Sequence, residues 1–288
     1  MINNKKVALV IIDPQYDFHD VPENLKAVTL INDKPSTVEP SLAIPGSWDD
    51  SLRLSSFIDK FRASINSVFV TLDTHQLYHI ASPMYWSDVD GNHPEHFTLI
   101  SHDDVLTGKW FPTNKDKLSH ALSYTQYLSE NNKQPLIIWP PHCLLGTPGH
   151  NIVAPVMESI LSWEKHHFSA TTTIFKGTNP DTEHYDGCEA EYPIAEDTST
   201  LLNMDFINSV DEHELIILSG QALSHCLSGT VQKIVDNVSP SKISSFVLLV
   251  DTSSAVTGFE EQGQCFLDKM VKLGMRVETT TEFLETLD

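Results

Sequence analysis

An aspartate, a lysine and a cysteine each stand at the end of an oily run. Asp13 follows Val7-Ala8-Leu9-Val10-Ile11-Ile12, Lys176 follows Thr173-Ile174-Phe175, and Cys226 comes soon after Leu215-Ile216-Ile217-Leu218. A thiol becomes a strong nucleophile when a base takes its proton and a cation steadies the anion, so the trio has the parts of a covalent catalyst. Cys226 also opens Leu227-Ser228-Gly229-Thr230-Val231-Gln232, a segment expected to enter a helix. Free N–H groups at a helix N-terminus favour a thiolate and can hold an oxyanion. Each residue has a plainer explanation: Asp13 as an N-cap or turn carboxylate, Lys176 as a solvated lysine before Gly177, Cys226 as a buried structural cysteine. Their joint occurrence is what points to chemistry.

A second group gathers at Asp73-Thr74-His75, with His79 four residues beyond. Turned helically, the two imidazoles share a face, and a carboxylate oxygen with imidazole nitrogens suits Zn²⁺, Mn²⁺ or Fe²⁺. In a chain with 14 histidines such a pair is as consistent with a solvated loop as with ligation. His142 adds weight, because Trp139-Pro140-Pro141 before it fixes the backbone and holds the imidazole in one direction, as a ligand requires.

The elements that must position these groups are short and oily. Residues 7–12, 67–72, 172–175, 214–219, 245–250 and 275–279 read as strands, several apolar on both faces, and 50–64, 114–130, 197–209, 226–238 and 259–272 read as helices. Continuous oily strands separated by helices indicate an α/β fold with a parallel sheet covered on both sides. In such sheets the strand ends face a crevice, where Asp13, Lys176 and Cys226 would meet. Phe259, Phe266, Met270 and Leu273 are expected along one core-facing stripe of the last helix. The expected organisation is a single domain over 1–288, with long insertions at about 19–48 and 80–138. Such insertions are commonly lids, binding loops or subunit contacts.

Composition narrows the class. The chain has 288 residues, 40% hydrophobic and 9% aromatic, and no apolar run approaches the ~20 residues of a membrane helix. Its net charge of −21 repels phosphate backbones and anionic lipid, so neither nucleic acid nor membrane is expected as a partner. Met1 to Lys6 lead straight into the first strand without an apolar signal stretch, which makes the cytoplasm the expected location. Cys143, Cys188, Cys226 and Cys265 are widely spaced and are expected as free thiols.

Taken in order, the motifs resemble the nicotinamidase branch of the isochorismatase-like cysteine hydrolases. Asp13-Pro14-Gln15-Tyr16-Asp17-Phe18 looks like that family's D-x-Q-x-D-F, Asp73-Thr74-His75 with His79 like its D-x-H-x-x-x-H, and Trp139 to Cys143 like W-P-x-H-C. Leu145 to Gly149 is similar to the Gly/Pro turn that follows, Lys176-Gly177-Thr178-Asn179-Pro180 with Tyr185 to the catalytic-lysine segment, and Asp251 to Val256 to the last strand-end motif.

The resemblance implies a three-layer sandwich on a six-stranded, mostly parallel sheet. It also implies Asp13, Lys176 and Cys226 as catalytic triad and one divalent metal, zinc or else manganese or iron, on Asp73, His75, His79 and His142. A cis peptide at Gln221–Ala222, an oxyanion hole from the Ala222 and Cys226 N–H groups, and an aromatic pocket of Phe18, Trp139 and Tyr185 are further implications. The implied activity is hydrolysis of nicotinamide to nicotinate and ammonia through a Cys226 thioester, in NAD salvage, with a small amide as substrate and a homo-oligomer as the assembly. The alternatives are another cysteine hydrolase of this type acting on a different small amide or ureido compound, or an idle member that only binds. Two departures bear on the choice. Leu223-Ser224-His225-Cys226 stands where T-D-x-C is usual, removing an acid that shapes the loop. Tyr185-Asp186-Gly187-Cys188 replaces Y-S-x-F, adding a charge near the expected substrate ring.

Overall fold

The computed structural model describes residues 5–286. Six strands, β1 (Val7–Ile12), β2 (Ser67–Asp73), β3 (Thr172–Lys176), β4 (Leu215–Gly220), β5 (Phe246–Leu249) and β6 (Arg276–Glu278), form one sheet in the order β6-β5-β4-β1-β2-β3. Every neighbouring pair is parallel. The chain runs outward from β1 to β3, then returns to the other side of β1 with β4. That reversal opens a crevice beyond the carboxyl ends of β1 and β4.

The alternation of β1 explains why its sequence is oily throughout. All six of its side chains are fully buried: Ala8, Val10 and Ile12 enter one core, Val7, Leu9 and Ile11 the other. The eight helices among the described residues are α1 (Ser47–Phe61), α2 (His102–Leu106), α3 (Leu118–Glu130), α4 (Ala154–His167), α5 (Met204–Asp211), α6 (Cys226–Asp236), α7 (Glu260–Leu273) and α8 (Thr280–Glu285). Helices α5, α6 and α7 pack on the first core, and α1, α4 and α8 on the second. The result is the expected helix–sheet–helix sandwich, with a sheet that is parallel throughout. No described helix is long and apolar enough to cross a membrane.

Several elements differ from expectation. Helix α4 has no counterpart in the sequence reading, although Pro155 sits in its first turn and Val156, Ile160 and Trp163 bury one face. The helix expected from 197 starts at Met204, because the Asn203 side chain accepts from Phe206 N–H and the Asp197 carboxylate takes Ser199 N–H in a separate turn. On α7, Phe266 and Met270 are buried as expected, whereas Leu273 is 44% exposed at the last turn and Phe259, at the N-cap, packs on the His225 ring.

The two insertions are structured. Residues 80–139 build an apolar cluster of their own around Tyr85, Trp86, Ile100, Tyr124 and Leu136, which ends at Trp139. Residues 19–48 form a hairpin, Val28–Ile31 against Lys34–Thr37, then return Ile44 beside Phe18 and Leu42 against the same cluster. The Asp20 carboxylate closes this insertion, accepting from Gly46 N–H (2.8 Å), Ser47 Oγ (3.1 Å) and Trp48 N–H (2.7 Å) at the start of α1.

Candidate active site

The three strand-end groups converge. Lys176, the last residue of β3, places Nζ 2.9 Å from Asp13 Oδ2, 3.0 Å from Asp73 Oδ1 and 3.7 Å from Cys226 Sγ, and donates to the His184 carbonyl at 3.0 Å. Lys176 is 1% exposed and Asp13 fully buried. Removing each ion from water costs several kcal/mol, so this arrangement persists only because the charges face one another. Burial alone would lower Lys176, yet Asp13 and Asp73 outweigh it and hold the ammonium well above the ordinary lysine range.

Asp13 adopts φ 45°, which turns the chain out of β1. Thr71, across the ladder from Ile12, donates its hydroxyl to Asp13 Oδ1 at 2.6 Å and accepts Asp13 N–H at 3.1 Å. Burial raises the Asp13 carboxyl above the usual aspartate range, Lys176 opposing and Asp73 reinforcing. Its Oδ2 is paired with the Lys176 ammonium and makes no other hydrogen bond. Cys226 opens α6, as expected, but the thiolate expected at that terminus is disfavoured: burial, with the Asp13 and Asp73 charges, outweighs Lys176 and pushes the thiol well up. The resting proton therefore belongs on sulfur, and Asp13 is the adjacent group placed to take it.

The imidazole side is built on Asp73. Its Oδ2 lies 3.0 Å from His75 Nε2 and 3.3 Å from His142 Nε2. Burial works to raise Asp73, but the His75 and Lys176 charges and the histidine hydrogen bonds hold it well below the usual range. Gln15 fixes the Asp73 backbone as a neighbouring strand would, donating to its carbonyl and accepting its N–H, both at 2.7 Å. His142 Nδ1 faces the Pro140 carbonyl at 2.7 Å; a carbonyl only accepts, so Nδ1 carries a proton and Nε2 is the ring atom turned to Asp73. Asp17 steadies the same loop by accepting Cys143 N–H at 2.7 Å.

Donor atoms of Asp73, His75 and His142 lie within 4.8 Å of one another, and so do those of His75, His79 and Glu183. Buried His75 Nδ1 has no hydrogen-bond partner. Each set, one carboxylate with two imidazoles, fits a divalent transition metal. The His79 ring lies tilted 4.2 Å from the His75 ring, but its Nδ1 accepts Ala81 N–H and its Nε2 faces the Thr182 carbonyl, both at 3.2 Å. Glu183, which the sequence reading did not single out, is 3% exposed, with Oε1 4.0 Å from His75 Nε2. It lies in a stretch without periodicity, and no sequence signal marks it.

One cavity gathers Phe18, Trp139, Tyr185, Ala222 and Cys226 with Asp73, His142 and Glu183. Trp139 Nε1 donates to the Tyr185 hydroxyl at 2.9 Å, making one aromatic wall, and His225 stands edge-on to Trp139 at 5.3 Å. The Gln221–Ala222 peptide is cis, as expected. Ser224 ties the loop where the resemblance expects an acid: its Oγ accepts Val256 N–H at 3.0 Å and lies 2.9 Å from His225 Nδ1. Asp186 is outside the cavity lining. Its Oδ1 instead accepts Cys188 and Glu189 N–H at 2.6 and 2.7 Å, so the carboxyl group serves a turn.

No protein-family model matches the chain, and no curated protein sequence does. Solved structures do. The yeast nicotinamidase is 16% identical, covering 94% of this chain and 99% of that one with a TM-score of 0.58, and it is also matched with the inhibitor nicotinaldehyde bound. A Pyrococcus horikoshii pyrazinamidase in complex with zinc is 18% identical over 95% of this chain and 99% of that one, TM-score 0.52. An isochorismatase family protein from Desulfovibrio vulgaris is 16% identical over 99% of both, TM-score 0.51. The chain has the fold these hydrolases share, a six-stranded parallel sheet with helices on both sides.

Proposed function

We propose that the protein is a cysteine amidohydrolase and that its substrate is nicotinamide, released as nicotinate and ammonia. The observation that carries this reading is the single ammonium of Lys176 set between Asp13, Asp73 and Cys226 Sγ. In this reading Asp13 takes the Cys226 proton as sulfur attacks the amide carbonyl carbon, and Lys176 steadies the anionic sulfur. The Ala222 and Cys226 N–H groups receive the oxyanion. Asp13 returns its proton to the departing nitrogen, so that ammonia leaves and a thioester remains. Asp13 then takes a proton from water, whose oxygen attacks the thioester; the acid leaves and sulfur recovers the proton.

Phe18, Trp139 and Tyr185 would enclose the ring. Asp73, His75 and His142 would hold the metal, with Glu183, whose carboxylate groups with His75, as a further donor in preference to His79, whose ring nitrogens face Ala81 N–H and the Thr182 carbonyl. When bound, the metal supplies a coordination point for the ring nitrogen and so orients the carboxamide. The zinc complex of the pyrazinamidase and the nicotinaldehyde complex of the yeast enzyme support this assignment. Ammonia release by metal-loaded protein mixed with nicotinamide tests it; a folded, metal-loaded sample that releases none overturns it.

A further inference from the structure

Behind the turn that carries Ala222 lies a buried polar cluster that touches neither sulfur nor the cavity. Asp50, in the first turn of α1 and 3% exposed, accepts from Arg53 Nη2 at 2.7 Å, Gln221 Nε2 at 2.9 Å and Ser254 Oγ at 2.6 Å. Gln221 Oε1 in turn accepts Ser254 N–H at 3.1 Å, and Leu223 N–H donates to the Ser254 carbonyl at 2.8 Å. Gln221 N–H donates to the Ile12 carbonyl at 2.8 Å, one residue before Asp13. Residues 221–223 are thus held from α1, from the loop at Ser254 and from the end of β1.

A buried carboxylate is costly unless donors surround it, and burial here raises Asp50 against the pull of its three donors. Two of those donors flank the turn, and the Ala222 N–H they carry must lie about 3 Å from where an oxyanion forms. That oxygen becomes charged only after sulfur attacks. Displacing the turn would therefore weaken the transition state more than the bound substrate.

We propose that Asp50 is a positioning residue: through Gln221 and Ser254 it fixes the turn that presents the Ala222 N–H to the oxyanion. The inference rests on the thioester reading above. The test compares metal-loaded wild type with D50N, which leaves one acceptor oxygen for the three donors and sets its NH2 against either Arg53 or the Gln221–Ser254 pair, and with D50N/Q221E, which restores a donor–acceptor pair with reversed polarity. Each is measured for kcat and KM on nicotinamide, for inhibition by nicotinaldehyde, whose thiol adduct carries the oxyanion, and for binding of nicotinate, which forms none.

D50N is expected to lower kcat about 10- to 100-fold, to weaken nicotinaldehyde by a similar factor, and to leave KM and nicotinate binding within about twofold. The double variant is expected to recover most of the loss. A folded D50N with unchanged kcat and aldehyde affinity overturns the role, and so does equal weakening of aldehyde and nicotinate, which marks a generally loosened pocket. If D50N does not fold, S254A, which keeps the carboxylate and removes one donor, is expected to shift the aldehyde-to-nicotinate ratio in the same direction; an unchanged ratio overturns the role. Wild type that releases no ammonia contradicts the functional reading instead, and is distinct from an active wild type beside an unimpaired D50N.

Discussion

Asp13 and Asp73 end adjacent strands, are both buried, and sit at 2.9 and 3.0 Å from the same lysine nitrogen, yet their surroundings push them in opposite directions. Asp13, with only a threonine hydroxyl and Lys176 against its burial, is raised; Asp73, with His75 and His142 added, is held well below the ordinary range. One cation thus joins two carboxylates of different use. Under the proposed reading the raised one passes a proton and the lowered one stays anionic for a cation. Pairs of like groups driven apart by environment are a common way for one site to hold both roles.

The strongest way to break this comparison is to neutralise each carboxylate in turn. Asp13→Asn is expected to reduce kcat by about 10³-fold or more with metal content intact. Asp73→Asn is expected to lower metal affinity by at least about 100-fold. Metal analysis beside ammonia release separates the outcomes, and metal loss from Asp13→Asn would erase the distinction. In the wild type, kcat/KM should fall as pH drops through an acid-limb pKa above the ordinary 3.8 of aspartate, because only ionised Asp13 accepts the thiol proton.

On the imidazole side, Glu183→Gln is expected to weaken metal binding about 10- to 100-fold, and His79→Gln by much less. Competition with a chelating dye measures both, and the reverse order would return the fourth position to His79. Gly177→Ala sharpens the same side by crowding. Its φ is +70°, and a Cβ there would lie 2.8 Å from His75 Cε1 and 2.9 Å from Asp73 Oδ1. A stability loss of about 1–3 kcal/mol with weaker metal binding is expected, read from denaturant titration and the same dye.

The smallest expected effect concerns a third carboxylate, which takes part in neither half. Burial pushes Asp186 up to about 7. A carboxyl raised on folding contributes stability that is full below its unfolded value and lost as pH rises through the folded one. Asp186→Asn keeps an acceptor for Cys188 and Glu189 N–H without the charge, so its Tm should exceed that of the wild type at pH 8, with a narrower gap at pH 5. A gap that widens on acidification would show that the charge is not penalised there.

Much of the thiol side was legible because buried parallel strands announce themselves. Val7 to Ile12 and Leu215 to Gly220 are apolar on both faces, so their ends, and the reactive groups beyond them, stand out against the turns. Helix α4 was not found because only Val156, Ile160 and Trp163 carry its large apolar buried face, among Ser159, Ser162 and two histidines. Glu183 was hidden for a different reason. Its position depends on a segment ordered by individual contacts, such as Glu183 Oε1 accepting His184 N–H at 2.8 Å and Tyr192 N–H donating to Thr182 Oγ1 at 3.1 Å, and no hydrophobic period records these. The Cys226 helix terminus was read correctly, but its local dipole argument was outweighed by burial and two carboxylates that only the tertiary fold brings near.

The claim on which the division of labour depends is a covalent bond to Cys226. Rapid acid quench of metal-loaded protein during nicotinamide turnover, followed by intact-mass and peptide analysis, tests it directly. The account predicts a nicotinoyl adduct on Cys226, absent from Cys226→Ala, which should release no ammonia while retaining its metal. Turnover by Cys226→Ala, or an adduct on another residue, would contradict it.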